Sequence, residues 1–105
     1  MNDKEFSALA DAALKQIEAA LEQSGADLDF AMVSEQVLEI EFSDGSKIIV
    51  NRHDAAQEVW VAARSGSFHY RWDGARCQDT RRDEELMVAL SRLVSEQGGA
   101  VVSLV

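Results

Sequence analysis

Acidic side chains recur along the first third of this 105-residue chain at spacings that could bind a cation. At about 100° per residue, Asp11, Glu18 and Glu22 project within a narrow arc of a helix. Asp27 and Asp29 follow and alternate onto the polar side of a strand, where they would extend this ridge. Carboxylate oxygens suit hard cations such as magnesium, calcium, manganese or iron, bound loosely and with water. An ordinary solvated helix face is the alternative interpretation.

The charge of the chain is unevenly distributed along the sequence. Residues 1–46 contain eleven acidic side chains against Lys4 and Lys15, whereas residues 47–105 contain eight of each sign, so the net charge of −9 arises in the first part. Such a field attracts cations and basic proteins and repels phosphate backbones. The arginines are scattered rather than clustered, and we therefore exclude nucleic acid as a partner.

A second group of residues shares the solvent side of the predicted strands. Trp60, His69, Arg71 and Asn51 all fall on this side by alternation. Large aromatic side chains beside arginine are typical anchors of protein interfaces. Cross-strand pairs that only stiffen the sheet have the same pattern. Both interpretations remain open from the residues alone.

The remaining reactive residue types give no catalytic motif. His53 and His69 have no partner at metal-ligand spacing, and Cys77 is a lone cysteine that can form no internal disulfide and is expected to be inert. The sequence has no nucleophile elbow, no phosphate-binding glycine loop and no zinc-protease motif. We therefore predict that the protein is not an enzyme, although folding alone could assemble a site that spacing does not reveal.

Hydrophobic periodicity divides the chain into a helix, a run of strands and a second helix. Apolar residues recur every three or four positions over residues 3–23, and Asn2 with Glu5 resembles a capping box. Alternation of period two then predicts strands from Leu28 to Val33, from Leu38 to Phe42, over 47–52, 58–64 and 67–73, and briefly around Cys77. A second helix is predicted to open with the acids at 83–85, and the tail from residue 101 to 105 is predicted to pack along a helix.

These elements predict a single α+β domain over residues 1–105. It is a two-layer αβ sandwich, in which two terminal helices pack on one face of an antiparallel sheet and leave the other face open to solvent. The sequence has no apolar run long enough to span a bilayer and does not open with a secretory signal. We therefore expect a cytoplasmic protein that does not bind membranes.

The central strands resemble the signature of the frataxin family. The resemblance rests on GSKIIVNR at 45–52, EVWVA at 58–62, the Ser-Gly pair at 65–66 and HYRWDG at 69–74. The opening MNDKEF and the LAD at 9–11 resemble the bacterial branch of the family, so the likeness covers essentially the whole chain. It implies the same sandwich, and a small acidic protein that binds iron loosely and modulates iron–sulfur cluster assembly with the cysteine desulfurase and scaffold proteins.

The resemblance also implies which residues act. The family's acidic ridge falls on Asp3, Asp11, Glu18, Glu22, Asp27 and Asp29. Its exposed sheet tryptophan is Trp60, with Asn51 and His69 beside it. To these the residue pattern adds Arg71 as a partner contact, and the ridge acids Glu18 and Glu22 are expected to bind basic patches of the desulfurase as well. A monomer is expected in the absence of metal.

Three positions depart from the usual family pattern. His53 and Glu58 stand where relatives usually have glutamine, and Ala55 stands where they usually have proline. The missing proline is expected to loosen that loop, and Glu58 is expected to extend the negative surface toward the sheet. The competing hypothesis is an acidic adaptor that binds a basic protein without needing metal, and an enzymatic alternative is iron oxidation at the ridge.

Overall fold

The chain folds as one helix, six consecutive strands and a second helix. The computed structural model describes all residues 1–105. Its elements are α1 (Asp3–Ser24), β1 (Leu28–Ser34), β2 (Val37–Phe42), β3 (Lys47–His53), a 3₁₀ turn (Asp54–Ala56), β4 (Glu58–Ala63), β5 (Gly66–Trp72), β6 (Cys77–Asp79) and α2 (Leu86–Gly98). The predicted number, type and order of helices and strands are confirmed.

The six strands form one antiparallel meander in the order β1-β2-β3-β4-β5-β6, with β1 and β6 at its edges. Both helices pack on the same face of this sheet, because the buried residues of α1 and α2 join those of the strands in a single core. The predicted two-layer αβ sandwich is therefore confirmed. Neither helix has the length and apolar content needed to cross a bilayer.

Helix α1 begins and ends where its sequence provides partners for the backbone. The side chain of Asn2 accepts a hydrogen bond from the Glu5 N–H at 2.8 Å, and the Glu5 carboxylate accepts one from the Asn2 N–H at 3.2 Å. Gly25 ends the helix in the left-handed region, with φ of 67°. Between these two ends, the buried apolar stripe of α1 consists of Phe6, Ala10, Leu14, Ile17 and Leu21. Asp11, Glu18 and Glu22 flank this stripe, roughly 100° around the helix axis from its centre.

Alternation along the strands separates the core from the open face of the sheet. The fully buried strand residues include Leu38, Ile40, Ile48, Val50, Val59, Val61 and Tyr70. Each large aliphatic side chain of this kind contributes about 1.5–3 kcal/mol when it leaves water. The residues between them face solvent, and they include most of the sheet residues predicted to act.

Helix α2 begins three residues later than predicted. Its first residue is Leu86, its first turn contains no acid, and Glu85 is the N-cap, whose carboxylate accepts the Val88 N–H at 3.2 Å. The preceding Glu84 instead binds Arg92, with contacts of 3.1 and 2.9 Å. These bonds hold the pKa of the Glu84 carboxyl below its usual range. An acid that caps a helix and an acid in its first turn look alike in sequence, which explains the error.

The carboxyl-terminal tail packs against α2, as predicted. Leu104 is buried, and the backbone N–H groups of Val102 and Leu104 donate to the hydroxyls of Ser95 and Ser91 at 2.9 and 2.8 Å. The tail therefore continues the core without forming a regular element.

Arg52 joins α1 to the sheet. Only 6% of this residue is exposed, and its guanidinium donates to both carboxylate oxygens of Asp54, to Asp11 and to the Ser7 hydroxyl. It also lies over the ring of Phe6, 5.8 Å from the centroid. These contacts raise the pKa of Arg52, above all through the bond to Asp54. The positive charge is therefore fully used inside the fold.

We expect Arg52→Met to destabilise the protein by about 2 kcal/mol, because charged hydrogen bonds are lost while Asp11 and Asp54 can return to water. Urea unfolding followed by circular dichroism measures this change. Arg64→Met is the matched control, since Arg64 pairs with Asp44 on the surface and is expected to cost less than about 1 kcal/mol. Equal costs for the two variants would contradict the structural role of Arg52.

We expect Cys77 to resist alkylation in the folded protein. Its side chain is buried, and burial, together with nearby Glu85 and Asp73, raises the pKa of the thiol to about 12. The thiol therefore stays protonated at pH 8, where an ordinary cysteine is partly thiolate. Mass spectrometry with iodoacetamide at pH 8 should show no adduct in buffer and full labelling in 8 M urea, and rapid labelling of the folded chain would refute the expectation.

Candidate functional site

The acidic residues of α1 line one ridge but do not share one role. Glu18 and Glu22 are separated by about 6 Å along the helix axis, and Asp11 lies about 10 Å before Glu18. Asp11 is bonded to Arg52, and Asp3 accepts a hydrogen bond from the Gln57 amide at 3.3 Å. Two of the six predicted metal ligands are therefore engaged in contacts that hold the fold.

The other four predicted ligands, Glu18, Glu22, Asp27 and Asp29, make no hydrogen bond and no ion pair. Glu35 and Glu41 also make no hydrogen bond and no ion pair. Every acid from residue 47 to residue 105 has a hydrogen-bond or ion-pair partner, and so do the remaining acids of residues 1–46. We define the acidic edge as these six unpartnered residues: Glu18, Glu22, Asp27, Asp29, Glu35 and Glu41. The excess of acids in residues 1–46 thus corresponds in the fold to the six acids that have no partner.

The acidic edge surrounds the first edge strand of the sheet. Glu18 and Glu35 line a cleft between α1 and the turn after β1. Asp29 points away from the helices, because its neighbours Leu28 and Phe30 pack against the core. The predicted continuation of the helix ridge through Asp29 is therefore wrong: this carboxylate lies on the open face of the sheet, around the edge from α1.

Strand register adds a residue that the sequence analysis missed. Asp29 lies directly opposite Glu41 on β2, and both side chains are exposed. On the other neighbouring strand, β3, Lys47 lies opposite Glu41, but the Lys47 ammonium binds Glu39 at 3.2 Å. Like charges placed opposite each other destabilise a sheet, and a bound cation relieves the repulsion. The alternation of Glu39 and Glu41 was visible in the sequence, but their partners depend on register.

The donor chemistry of the acidic edge suits a hard cation, but its geometry is open. No three carboxylate, histidine or cysteine side chains converge closely enough to hold a metal ion. Ligands of this type at such spacing attract a hydrated cation rather than enclose a bare one. Such an arrangement is suited to weak and exchangeable contacts with a hydrated cation.

Trp60 lies on the open face of the sheet between two histidines. The ring of His53 stacks on one side of the indole at 3.9 Å between centroids and 12° between planes, and His69 stacks on the other side at 4.4 Å and 9°. Trp60 lies on the solvent side of the sheet, as predicted, but both of its ring faces are covered and the residue is half-buried. We call this arrangement the histidine–tryptophan stack.

Glu58 lies beneath the stack and binds its neighbours. One carboxylate oxygen accepts the Trp60 indole N–H at 2.8 Å and lies 3.7 Å from His69 Nδ1, and the other accepts from Arg71 at 2.9 Å. The Glu58 side chain is only 12% exposed. The prediction that Glu58 extends the negative surface is therefore wrong, because its charge is covered and paired.

The other two predicted partner contacts lie beside the stack. Asn51 is the cross-strand neighbour of Trp60 and is half-buried, and Arg71 is 61% exposed in its side chain. Arg71 also donates to the Ala56 carbonyl at 3.3 Å, and His53 Nδ1 accepts the Ala56 N–H at 3.3 Å. These bonds tie down the loop that contains Ala55, which the missing proline was expected to loosen. Folding therefore brings all four predicted partner residues of the sheet together.

Comparison with known proteins gives one consistent result. Residues 1–100 match the model of the frataxin-like domain. The chain is 60% identical over 104 residues to the iron-sulfur cluster assembly protein CyaY of Dechloromonas aromatica, covering 99% of both chains. It is 50% identical to the protein of the same name from Ralstonia nicotianae, covering 100% of this chain and 96% of the relative.

A solved structure agrees with these sequence matches. The frataxin of Psychromonas ingrahamii superposes with a TM-score of 0.91 at 33% identity, covering 100% of this chain and 99% of the other. The fold, the matched domain and the identity over nearly the full length together show that this chain belongs to the frataxin family.

Proposed function

We propose that this protein binds iron weakly and modulates iron–sulfur cluster assembly without being an enzyme. Its relatives from Dechloromonas and Ralstonia are named as iron–sulfur cluster assembly proteins, which supports a role in that process. The observation that carries the proposal is the acidic edge, whose six carboxylates are the only ones in the protein without a partner. Iron is the cargo, attracted through water and released without a large barrier.

The acidic edge has a second role in the proposal, which is to attract basic surfaces of the cysteine desulfurase and the scaffold protein. Unpaired surface charges of one sign accelerate association with an oppositely charged partner and lose this effect at high salt. Glu18 and Glu22 serve both roles, because both lie on the exposed ridge of α1. The metal and the partner protein therefore either compete for these two carboxylates or bind to them one after the other.

The histidine–tryptophan stack supplies the second contact with the assembly machinery. Aromatic side chains and arginine are enriched in the energetically important centres of interfaces. Trp60, Asn51, His69 and Arg71 meet on the open sheet face, separate from the helices. The protein acts as a monomer in the cytoplasm in this proposal, beside the machinery that it modulates.

A second candidate function is a metal-independent acidic adaptor. The lack of three convergent ligands favours it, since a protein that only attracts basic partners needs no preformed metal geometry. The two candidates differ in whether iron changes the binding of the partner.

Neutralising four residues of the acidic edge tests the shared basis of both roles. We expect Glu18→Gln, Glu22→Gln, Asp27→Asn and Asp29→Asn together to weaken desulfurase binding about 10-fold or more at low salt, and to weaken iron binding as well. Isothermal titration measures both affinities. The melting temperature should not fall, because these side chains have no partners to lose.

The matched control is the pair Asp83→Asn and Glu96→Gln, compared with Glu18→Gln and Glu22→Gln, which remove the same charge. Asp83 and Glu96 are exposed but bind Gln78 and Arg92, outside the acidic edge. If both pairs weaken binding equally, net charge alone is responsible and the acidic edge has no special role.

Chelation separates the two candidate functions. Desulfurase binding is measured by biolayer interferometry with a chelator, with ferrous iron under anaerobic conditions, and with magnesium at the same ionic strength. If iron and the desulfurase both bind through Glu18 and Glu22, ferrous iron should change the affinity for the desulfurase. Identical affinity under all three conditions would favour the adaptor.

A further inference from the structure

The histidine–tryptophan stack leaves Trp60 with little freedom. The two imidazole rings cover both faces of the indole, and Glu58 accepts its only N–H group. A tryptophan used as an insertable anchor needs a free face that can enter a pocket of the partner. In this protein, only the outer edge of the ring is available without breaking contacts.

Glu58 and His53 are the residues that close the stack. Glu58 joins the Trp60 N–H, Arg71 and the nearby His69 through one carboxylate. His53 covers the ring face on the β3 side, and its Nδ1 is held by the Ala56 N–H. Strand pairing brings these residues into place, because His53 lies opposite Glu58 and Trp60 lies opposite His69.

The charges of this group cancel locally. The Glu58 carboxylate is paired with the Arg71 guanidinium at 2.9 Å, so these two charges compensate each other beside the stacked rings. Arg71 uses one terminal nitrogen for Glu58 and the Ala56 carbonyl, and the other guanidinium N–H groups make no bond within the chain. A partner can therefore find a free hydrogen-bond donor at the border of the stacked rings.

We propose that Glu58 and His53 are positioning residues that present Trp60 edge-on to the partner protein. This inference rests on the proposed function and specifies how one of its two contacts is made. The partner places apolar atoms against the edges of the three stacked rings and offers an oxygen acceptor to Arg71. Because the indole is already fixed in the folded protein, binding does not include the entropic cost of ordering this side chain.

The test uses the full chain and two readouts. Two-dimensional ¹⁵N spectra identify the Trp60 indole N–H by comparison with Trp60→Phe, and the upfield ring-current shifts of the His69 ring protons report stacking in every variant. Biolayer interferometry measures affinity for the cysteine desulfurase. The variants are Glu58→Ala, His53→Ala and the conservative Glu58→Gln, which keeps an acceptor for the indole. Ser67→Ala is the control on the same sheet face.

We expect Glu58→Ala and His53→Ala to lose the stacking shifts and to bind the desulfurase about 3- to 10-fold more weakly, the cost of ordering one or two side chains. Glu58→Gln should restore part of both signals, and Ser67→Ala should change neither. Melting temperatures within a few degrees of the wild type exclude a general loss of structure.

Two results would overturn the inference. Unchanged stacking shifts in Glu58→Ala and His53→Ala would show that these residues do not hold the indole. Lost stacking with equal or tighter desulfurase binding would show that a free ring face is the better contact. If the wild type does not bind the desulfurase at all, the proposed function fails and the edge-on contact fails with it, while the spectra still decide whether the stack is closed.

Discussion

Repulsion between unpartnered carboxylates is the physical constraint on which the functional account depends. Nineteen acids and ten basic residues cannot all form ion pairs, but every acid of the second half has at least a hydrogen-bond partner. The six acids without a partner lie on α1, on β1 and its flanking loops, and on β2, where Glu41 lies opposite Asp29. A cation or a basic protein that reaches this edge lowers the repulsion energy, so attraction there needs no enclosed site.

The position of Arg52 explains why the acidic edge excludes residues that look equivalent in sequence. Asp11 shares the helix ridge with Glu18 and Glu22, but it binds a buried guanidinium that joins α1 to the sheet. This ion pair stabilises the fold and compensates the charge of Asp11, although the Asp11 side chain remains 57% exposed. Glu58 differs in the same way from Asp29 and Glu41 on the open sheet face: its carboxylate binds Trp60 and Arg71, whereas Asp29 and Glu41 have no partner. Some carboxylates of this protein therefore form contacts within the fold, whereas others have no partner within the chain.

Local rules predicted much of the fold, and contacts distant in sequence account for the errors. Helix α1 was predictable because its cap, its apolar stripe and Gly25 are all local in sequence. The bond from Arg52 to Asp11 spans 41 residues, and no periodicity indicates it. The opposition of Asp29 and Glu41 and the stacking of His53 on Trp60 both require the strand register. Residue patterns identified the sheet residues of the site, but only folding shows which faces are covered.

A ferrous iron titration followed in ¹⁵N amide spectra tests the central claim most directly. We expect line broadening and chemical-shift changes to concentrate on residues 18–41, to reach saturation only at high iron concentration, and to decrease when magnesium is added. Amides of the arginine-rich second half, whose acids all have hydrogen-bond or ion-pair partners, should be unaffected apart from those next to the acidic edge in the sheet. Changes spread evenly over the chain, or centred on acids that already have partners, would contradict the claim that the unpartnered carboxylates attract the metal.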